Sequence, residues 1–370
     1  MESPPEKFNS RIGVEQPGWN FLGFAGADSN RFVDREHPWE KCYLRRWIGI
    51  DEAGYGPNLG PLVMTAVVAE DLNPSQSYPV PPDIWKDLSP KVARAGGEAG
   101  CLWIDDSKLV YRGTGGRERL ESACSLAIEA AGLLAPKSFG ALCQSLQAGD
   151  SHTCEFARWL PSGGSEWPWP RASSLEIMTR LRPISPLSPT NSAWKIAEVR
   201  SVVVGPERFN TALAETGSKA RVHFRAFAEL LRPLWNQTLD GDSTHLTSDK
   251  HGGRHFYLEP LRDVFQEAWI ERGEEGPALS RYQVREGMRS MELRFTPRAD
   301  AENGLVALAS LVSKAVREAW MDAFNAFWKN RIPELKPTAG YPQDASRFRR
   351  QIDGLAKDLG LEPRLWWREK

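Results

Sequence analysis

Short apolar runs alternate with longer amphipathic stretches along most of this 370-residue chain. A short apolar run bounded by turn residues predicts a strand, whereas apolar residues three or four positions apart predict one face of a helix. Strands and helices that alternate in this way are typical of an α/β fold. We predict strands at about 45–50, 61–69, 198–204, 245–249 and 290–295, and helices at about 120–131, 219–235, 258–272 and 302–329.

Two segments interrupt this pattern. Residues 1–44 are rich in Pro, Gly, Asn and charge, which predicts an extension with little regular structure. Residues 145–195 contain so much Pro and Ser that neither helix nor strand is favoured, and we interpret them as an insertion that its tryptophans partly order. We therefore predict one domain over 45–330, interrupted by this insertion, and a helical segment over 331–370.

Composition narrows the class of protein. A hydrophobic fraction of 41% supports a packed core, and a formal charge of −1 means that nucleic-acid binding would depend on a local basic surface. The five cysteines form no Cys-x-x-Cys pair, which argues against a zinc site or a disulfide framework and fits a reducing compartment. We see neither a signal peptide nor an apolar stretch of membrane-spanning length, so we expect a cytoplasmic monomer with no membrane partner.

The segment 47–57 carries the strongest chemical signal. An apolar strand runs into two adjacent carboxylates, Asp51 and Glu52, and then into a Gly-x-Gly-Pro turn that contains Gly54 and Gly56. Neighbouring side chains in a strand point to opposite faces, so the two acids can share a site only if the strand ends at Asp51 and the chain turns. The alternative is a strand end with two solvated acids.

Two more acids follow predicted strands. Asp249 ends the strand at 245–249, just before a glycine turn, and Asp300 follows the strand at 290–295. Carboxylates held close together repel one another, and a divalent cation such as Mg²⁺ removes the conflict. Two such ions suit phosphodiester hydrolysis. The alternatives are that both are ordinary loop acids, or that other acids take their places: Asp240 or Asp242 for the first, Glu302 for the second.

The segment around Asp51 resembles the first motif of type 2 ribonuclease H (ribonuclease HII), Gly-Ile-Asp-Glu-Ala-Gly-Arg-Gly-Pro, which continues with Gly-Pro and an apolar run. This chain departs at Tyr55, where the family has Arg. Asp300 is followed by the segment 309–318, which is similar at the same spacing to the family pattern after its fourth acid. That segment includes Lys314 and Arg317.

Two shorter segments also resemble the family. Asp105-Asp106-Ser107-Lys108-Leu109 resembles the family's Asn-Asp-Ser-Lys-Lys-Leu, whose Ser and Lys lie near the nucleic-acid backbone. Asp106 or Ser107 also suits the N-cap of a short helix. Tyr341 stands in a Gly-Tyr-Pro that resembles the family's Gly-Tyr-Pro-Thr, whose tyrosine stacks at the RNA–DNA junction. The alternative for Tyr341 is a residue in a plain turn between helices.

The resemblance implies a ribonuclease H-like α/β fold with a mixed central sheet flanked by helices and a helical C-terminal part. It implies an endoribonuclease that uses two Mg²⁺ or Mn²⁺ ions to cut the RNA strand of an RNA/DNA hybrid or a ribonucleotide-containing duplex. The competing hypothesis is a non-catalytic nucleic-acid-binding or scaffold protein with the same fold. The implied catalytic and metal-binding residues are Asp51, Glu52, Asp249 and Asp300, and the implied substrate-binding residues are Gly54, Tyr55, Gly56, Ser107, Lys108, Lys314, Arg317 and Tyr341.

Overall fold

A computed structural model describes seven stretches of the chain. These are residues 43–73, 81–98, 100–150, 152–160, 166–181, 187–189 and 193–369. The chain divides into two units, Met1–Lys41 and Cys42–Lys370. The first unit, and with it nearly all of the predicted N-terminal extension, lies outside the described residues, as do parts of the predicted insertion.

Strands and helices alternate along the described stretches. The strands are β1 (Arg45–Ala53), β2 (Leu62–Asp71), β3 (Val92–Ala93), β4 (Leu102–Trp103), β5 (Trp194–Val204), β6 (Ser243–Asp249), β7 (Trp269–Glu275), β8 (Ser280–Glu286) and β9 (Arg289–Thr296). The helices are α1 (Ile84–Asp87), α2 (Ser107–Tyr111), α3 (Gly116–Ala130), α4 (Phe139–Ser145), α5 (Ala172–Leu181), α6 (Pro206–Thr216), α7 (Lys219–Asn236), α8 (Leu258–Arg262), α9 (Ala299–Glu302), α10 (Gly304–Lys329) and α11 (Pro342–Asp358).

The main sheet is mixed. Its strand order among the described residues is β5-β2-β1-β6-β9-β8-β7. β2 is antiparallel to β1 and to β5, whereas β1, β6 and β9 run parallel to one another. The carboxyl ends of these three central strands therefore meet at one edge. The predicted fold class, an α/β fold with a mixed central sheet flanked by helices and a helical C-terminal part, is confirmed.

Helices cover both faces of the sheet, and the alternation of β1 shows how. Ile48 and Ile50 belong to a core shared with α7, whereas Trp47 belongs to a second core shared with α3 and α10. Gly49 lies on the α10 face, and a Cβ added there would be 2.3 Å from the main-chain carbon of Leu305. Only glycine lets the start of α10 pack so closely on β1.

The helix α10 follows from its sequence. The Asn303 side chain accepts hydrogen bonds from the N–H groups of Leu305 and Val306, which caps the helix at its start. Apolar residues lie almost all round the helix because it packs on the sheet and is covered by α3. Within the described stretches, no helix combines the length and apolar character needed to cross a bilayer.

Two predictions of secondary structure need correction. The predicted helix at 258–272 ends at Arg262, and the chain then forms β7, which pairs with β8. Apolar residues at helical spacing continue to residue 268, but cross-strand pairing overrides that local pattern. Within the predicted insertion, residues 172–181 form α5, and both Trp159 and Trp169 are buried.

The hairpin of β7 and β8 lies in the chain between Asp249 and Asp300. Both strands lie between these two acids in sequence and extend the sheet beyond β9. They leave the order β1-β6-β9 intact. The extra residues therefore enlarge the sheet edge without separating the two acids.

Candidate active site at the carboxyl edge of the sheet

Asp51 and Asp249 occupy neighbouring positions on adjacent parallel strands. Ile50 of β1 pairs with Ser248 of β6, so the residues that follow them point to the same face of the sheet. Adjacent strands are about 4.8 Å apart. The carboxyl ends of parallel strands are where ligands usually bind in open α/β sheets.

Asp300 approaches from the third parallel strand. Asp249 pairs with Thr296, the last residue of β9, and the short helix α9 that follows carries Asp300. The main-chain N–H of Ala299 donates to the Asp249 carboxylate at 3.4 Å. This contact ties α9 to the end of β6.

The acids influence one another's ionisation. Burial, and then the charge of Glu52, raises the pKa of Asp51 well above its usual value, and Asp300 adds to the rise. Burial raises the pKa of Asp300, and the charges of Asp106 and Asp249 raise it further. Burial also raises the pKa of Asp249, with a smaller contribution from Glu52. These shifts describe crowded negative charge that a cation would relieve.

The donor chemistry of this group fits a divalent metal. Carboxylate oxygens are hard ligands of the kind that Mg²⁺ and Mn²⁺ prefer. Among the described residues, however, no group of three or more His, Cys, Asp or Glu side chains is arranged to hold a metal ion. One contribution to this difference is the orientation of Glu52.

Glu52 lies on the other face of the sheet. β1 does not end at Asp51, contrary to the prediction, but continues to Ala53 because its last residues pair with β2. Adjacent strand residues alternate between faces. Asp51 therefore faces α10, whereas the Oε1 atom of Glu52 lies 3.4 Å from Nε2 of His223 on α7.

A buried pair of histidines stands behind Glu52. His223 and His251 are each at most 3% exposed, and their ring centroids are 4.5 Å apart. Neither ring nitrogen of either residue has a hydrogen-bond partner within the described part of the chain. Burial lowers the pKa of His251 well below its usual value, helped by the charges of His223 and Arg254. Sequence analysis missed both histidines, since neither stands in a recognisable motif.

Hydroxyl groups fix the position of Asp51 from the α10 side. The Ser313 hydroxyl donates to the main-chain carbonyl of Asp51 at 3.0 Å, and its oxygen lies 2.8 Å from the Thr65 hydroxyl. The Thr65 and Ser201 hydroxyls are 2.8 Å apart. A hydrogen bond from Ser310 also moderates the raised pKa of Asp51. This buried network links α10 to three neighbouring strands.

The segment with Ser107 and Lys108 adjoins the acids. The Asp106 carboxylate accepts from the N–H of Lys108 and caps α2, one of the two caps that the sequence predicts. Ser107 is buried, and the Ser310 hydroxyl lies 3.1 Å from its own. The charge of Lys108 lowers the pKa of Asp300, so its exposed ammonium lies near that acid.

The rival acids lie elsewhere. Asp240 and Asp242 precede β6, so β6 separates them from Asp249 at its carboxyl end. The Asp242 carboxylate accepts two main-chain N–H groups and is used in the turn. Glu302 is exposed on α9, and its charge is not among the causes of the raised pKa of Asp51 or of Asp249. The geometry therefore favours Asp249 and Asp300.

Gly54 and Gly56, in the loop after β1, differ in the space around them. Gly54 has φ +88°, and a Cβ there would lie 2.4 Å from the carbonyl oxygen of Pro61. Both the backbone conformation and the space require glycine. A Cβ at Gly56 would meet nothing within 4 Å among the described residues, so the outer side of this loop is open.

Arg317 supports the glycine loop from inside. Its side chain is 2% exposed, and its guanidinium donates to the carbonyls of Leu59 at 3.2 Å and Ala339 at 2.9 Å. The resemblance implies a substrate-binding role for Arg317. In the structure, the guanidinium of Arg317 instead links the loop that contains Leu59 to the loop that contains Ala339.

Arg368 supports the same loop and was not anticipated. Its guanidinium donates to the carbonyls of Gly54 and Tyr55, the second at 2.9 Å, and its N–H donates to the carbonyl of Asn58 at 2.7 Å. The side chain is fully buried over the ring of Phe209. No local motif marks this residue, because its partners are more than 300 positions away in sequence.

The Tyr55 ring turns toward the protein. It meets the ring of His223 edge-on, with 4.9 Å between centroids, and packs beside Gly252. Burial raises its pKa, as does the charge of Glu52. Tyr55 thus forms part of the wall next to Glu52 and does not place a cation there.

Tyr341 lies beside the glycine loop and is 49% exposed. The carbonyl of Gly340 accepts the N–H groups of Asn58 and Leu59, which fixes the turn against the loop. The guanidinium of Arg317 lies 5.7 Å from the Tyr341 ring centroid. One face of this aromatic ring is therefore available next to the loop.

Lys314 is engaged within the protein. Its ammonium lies 3.8 Å from the Glu318 carboxylate and 4.7 Å from the ring centroid of Tyr111. Burial lowers its pKa. The site thus brings together the acids, Lys108 and Tyr341 around the glycine loop, while Lys314 and Arg317 have partners inside the fold.

Comparisons with known proteins give matches only among solved structures. No protein-family model matches this chain, and no curated protein matches it. A chain in the PCNA:RNase HII complex from Archaeoglobus fulgidus matches 88% of this chain and 94% of its own length at 14% identity, with a TM-score of 0.37.

Two further structures match at a similar level. Ribonuclease H2 from Pyrococcus horikoshii OT3 matches 87% of this chain and 92% of its own length at 14% identity, with a TM-score of 0.34. Bst-RNase HIII in complex with Mn²⁺ matches 89% of this chain and 67% of its own length at 12% identity, also with a TM-score of 0.34. Likenesses at this level do not by themselves assign an activity.

Proposed function

We propose that this chain is a metal-dependent endoribonuclease that hydrolyses the RNA strand of RNA/DNA hybrids, leaving a 5′-phosphate and a 3′-hydroxyl. One observation carries the proposal. Asp51 and Asp249 lie at neighbouring positions on one face of the sheet, and Asp300 lies close enough to raise the pKa of Asp51. Crowded carboxylates at the carboxyl edge of parallel strands suit phosphoryl chemistry.

Asp51, Asp249 and Asp300 would hold Mg²⁺ or Mn²⁺, with two ions in the proposed mechanism. Glu52 would complete the set through its second carboxylate oxygen, since its Oε1 atom lies against His223 and its charge already raises the pKa of Asp51 and Asp249. Bound ions would supply an activated water and stabilise the leaving oxygen. The buried Ser313 network holds the main chain of Asp51 in place, which fixes the acid relative to α10.

Other residues around the edge would bind and orient the substrate. The exposed ammonium of Lys108, whose charge lowers the pKa of Asp300, would bind a phosphate. Gly56 leaves room for a sugar to approach the main chain of the loop. Tyr341 presents a ring on which a sugar or base would stack.

The test is a cleavage assay on a panel of substrates with Mg²⁺ or Mn²⁺. A long RNA/DNA hybrid should be cut, and a DNA-only duplex should not. Asp51→Asn should lower the rate by about two orders of magnitude or more, in keeping with the loss of a group essential to the chemistry. Glu302→Gln is the matched control, because that acid is exposed and lies near Asp300 in sequence. Activity retained by Asp51→Asn would overturn the site.

A second candidate function is a non-catalytic nucleic-acid-binding protein with this fold. The observation in its favour is that the described acids are not arranged to hold a metal ion as they stand. Metal titration by calorimetry separates the two candidates. The nuclease should bind Mn²⁺ in a manner that Asp51→Asn abolishes, whereas the binding protein should show no such dependence.

A further inference from the structure

A groove lined by arginines runs along one side of α7. Its volume is about 560 Å³, and it is bounded by α7, Arg254 and the segment around α8. Four arginines line it, against two carboxylates. The arginines are Arg221, Arg225, Arg232 and Arg254.

Three of these arginines form a row on α7. Arg221, Arg225 and Arg232 are four and seven positions apart, so their side chains leave the helix on one face. From first to last they span about 16 Å along the helix axis. That length matches about five base steps of a nucleic-acid strand, at about 3.4 Å each.

The guanidinium groups keep N–H donors for an external anion, although Arg232 donates to the main-chain carbonyl of Asp263 and Arg254 to that of Ala220, each at 3.5 Å. Within the described stretches, Arg221, Arg232 and Arg254 form no ion pair. Arg225 pairs with Glu215, but both side chains are more than half exposed, and such a pair contributes little. Two acids on the opposite wall leave the groove with an excess of positive charge.

The groove begins next to the candidate active site. The guanidinium of Arg254 lies 5.7 Å from the ring centroid of Phe224, which lines the groove, and 5.8 Å from that of Tyr257. In the same turn, Gly252 packs against the Tyr55 ring, where an added Cβ would lie 3.2 Å away. Residues 252–254 therefore border both the site and the groove.

We propose that this groove binds the sugar–phosphate backbone of a substrate duplex beyond the point of cleavage. The inference rests on the proposed function for the identity of the duplex. A row of arginines along a helix fits the repeated phosphates of one strand. Phe224 on α7 and Val264 on the facing wall give the groove apolar lining against which sugars would pack.

The experiment measures binding without cleavage. Fluorescence anisotropy with a labelled RNA/DNA hybrid and a DNA duplex, in EDTA, gives the dependence of affinity on salt for each protein. The test variant carries Arg221→Gln, Arg225→Gln and Arg232→Gln. The control carries Arg281→Gln, Arg285→Gln and Arg294→Gln, three exposed arginines on β8 and β9 with the same change of charge.

We expect the test variant to bind both duplexes more weakly, with a logarithmic salt dependence that is smaller by about 2 to 3. For the control variant, the logarithmic salt dependence of affinity should stay within about 1 of the value for the unmodified chain. Equal slopes for the two variants would overturn the proposal. So would a test variant that loses binding to polyglutamate but keeps its affinity for duplexes, which would indicate an acidic protein partner.

Failure of the proposed function is a separate result. If the unmodified chain binds hybrid through the groove but cuts nothing with Mg²⁺ or Mn²⁺, the groove stands and the nuclease proposal fails. If it cuts hybrid while the two variants share one salt slope, the nuclease stands and the groove proposal fails.

Discussion

The Nε2 atom of His223 lies 3.4 Å from the Oε1 atom of Glu52. The imidazole is 1% exposed and is enclosed by the rings of His251 and Tyr55. This contact places Glu52 on the α7 face, while Asp51 points to the α10 face. Partners of this kind orient a carboxylate near a metal site and commonly affect metal affinity.

Replacing His223 by Phe tests that contact. Phe keeps the packing against the neighbouring rings but removes the nitrogen that faces Glu52. We expect cleavage and Mn²⁺ affinity to fall by about tenfold or more. Calorimetry with Mn²⁺ and a cleavage assay measure both. His245→Phe is the control, because His245 on β6 makes a similar contact with Glu292 on β9 but is itself far more exposed than His223. Unchanged metal affinity in His223→Phe would contradict the positioning role.

Arg368→Met should loosen the glycine loop. The change removes the guanidinium that donates to the carbonyls of Gly54 and Tyr55. Each charged hydrogen bond of this kind contributes about 1.5–3 kcal/mol, so we expect the free energy of unfolding to fall by about 3 kcal/mol. Chemical denaturation measures this loss. Arg364→Met, at a largely exposed arginine nearby, should change stability little. Equal stability of the two variants would refute the role of Arg368.

Tyr55 should weaken the preference for single ribonucleotides embedded in DNA. The 2′-hydroxyl is what distinguishes such a site, and Tyr55 places no cation beside it. We expect the unmodified chain to cut a long hybrid better than a duplex with one ribonucleotide, and Tyr55→Arg to shift the ratio of kcat/KM toward the latter. Tyr43→Arg, at an exposed tyrosine before β1, is the control. Equal cutting of both substrates by the unmodified chain would sink this prediction.

Ionisation of Glu155 should lower the free energy of unfolding as pH rises. Burial raises the pKa of this carboxyl, although the N–H groups of Glu207 and Arg208 at the start of α6 donate to it. Above the usual pKa of a glutamate, the unfolded chain has lost this proton while the folded chain still holds it. The free energy of unfolding therefore declines with pH until the folded pKa is passed. Denaturant titrations across this window should show a smaller decline in Glu155→Gln than in Glu334→Gln, an exposed control.

The approach of Asp51, Asp249 and Asp300 to one edge could be predicted because each acid stands at or just after the end of a predicted strand. Parallel strands of one sheet end at one edge, so a local pattern was enough to place the acids there. The end of β1 could not be predicted in this way. Pairing with β2 carries the strand through Glu52 to Ala53, and that partner is invisible in the local sequence.

Residues that act over long sequence distances were missed. His223 meets Glu52 from a helix about 170 positions away, and its neighbours in sequence predict only an amphipathic helix. Arg368 stands in a short tail that carries no motif. Both roles follow from tertiary packing, which periodicity does not report.

The hydrogen bonds from Arg368 to the residues after β1 have a consequence for biosynthesis. The two ends of this contact are separated by 314 positions, so it cannot form until synthesis has passed residue 368. Contacts of such high sequence separation pay a large loop-closure entropy and tend to form late. A nascent chain that has emerged only to residue 360 would carry the Asp-Glu-Ala-Gly motif together with Arg317, but without the guanidinium that donates to the carbonyls of Gly54 and Tyr55.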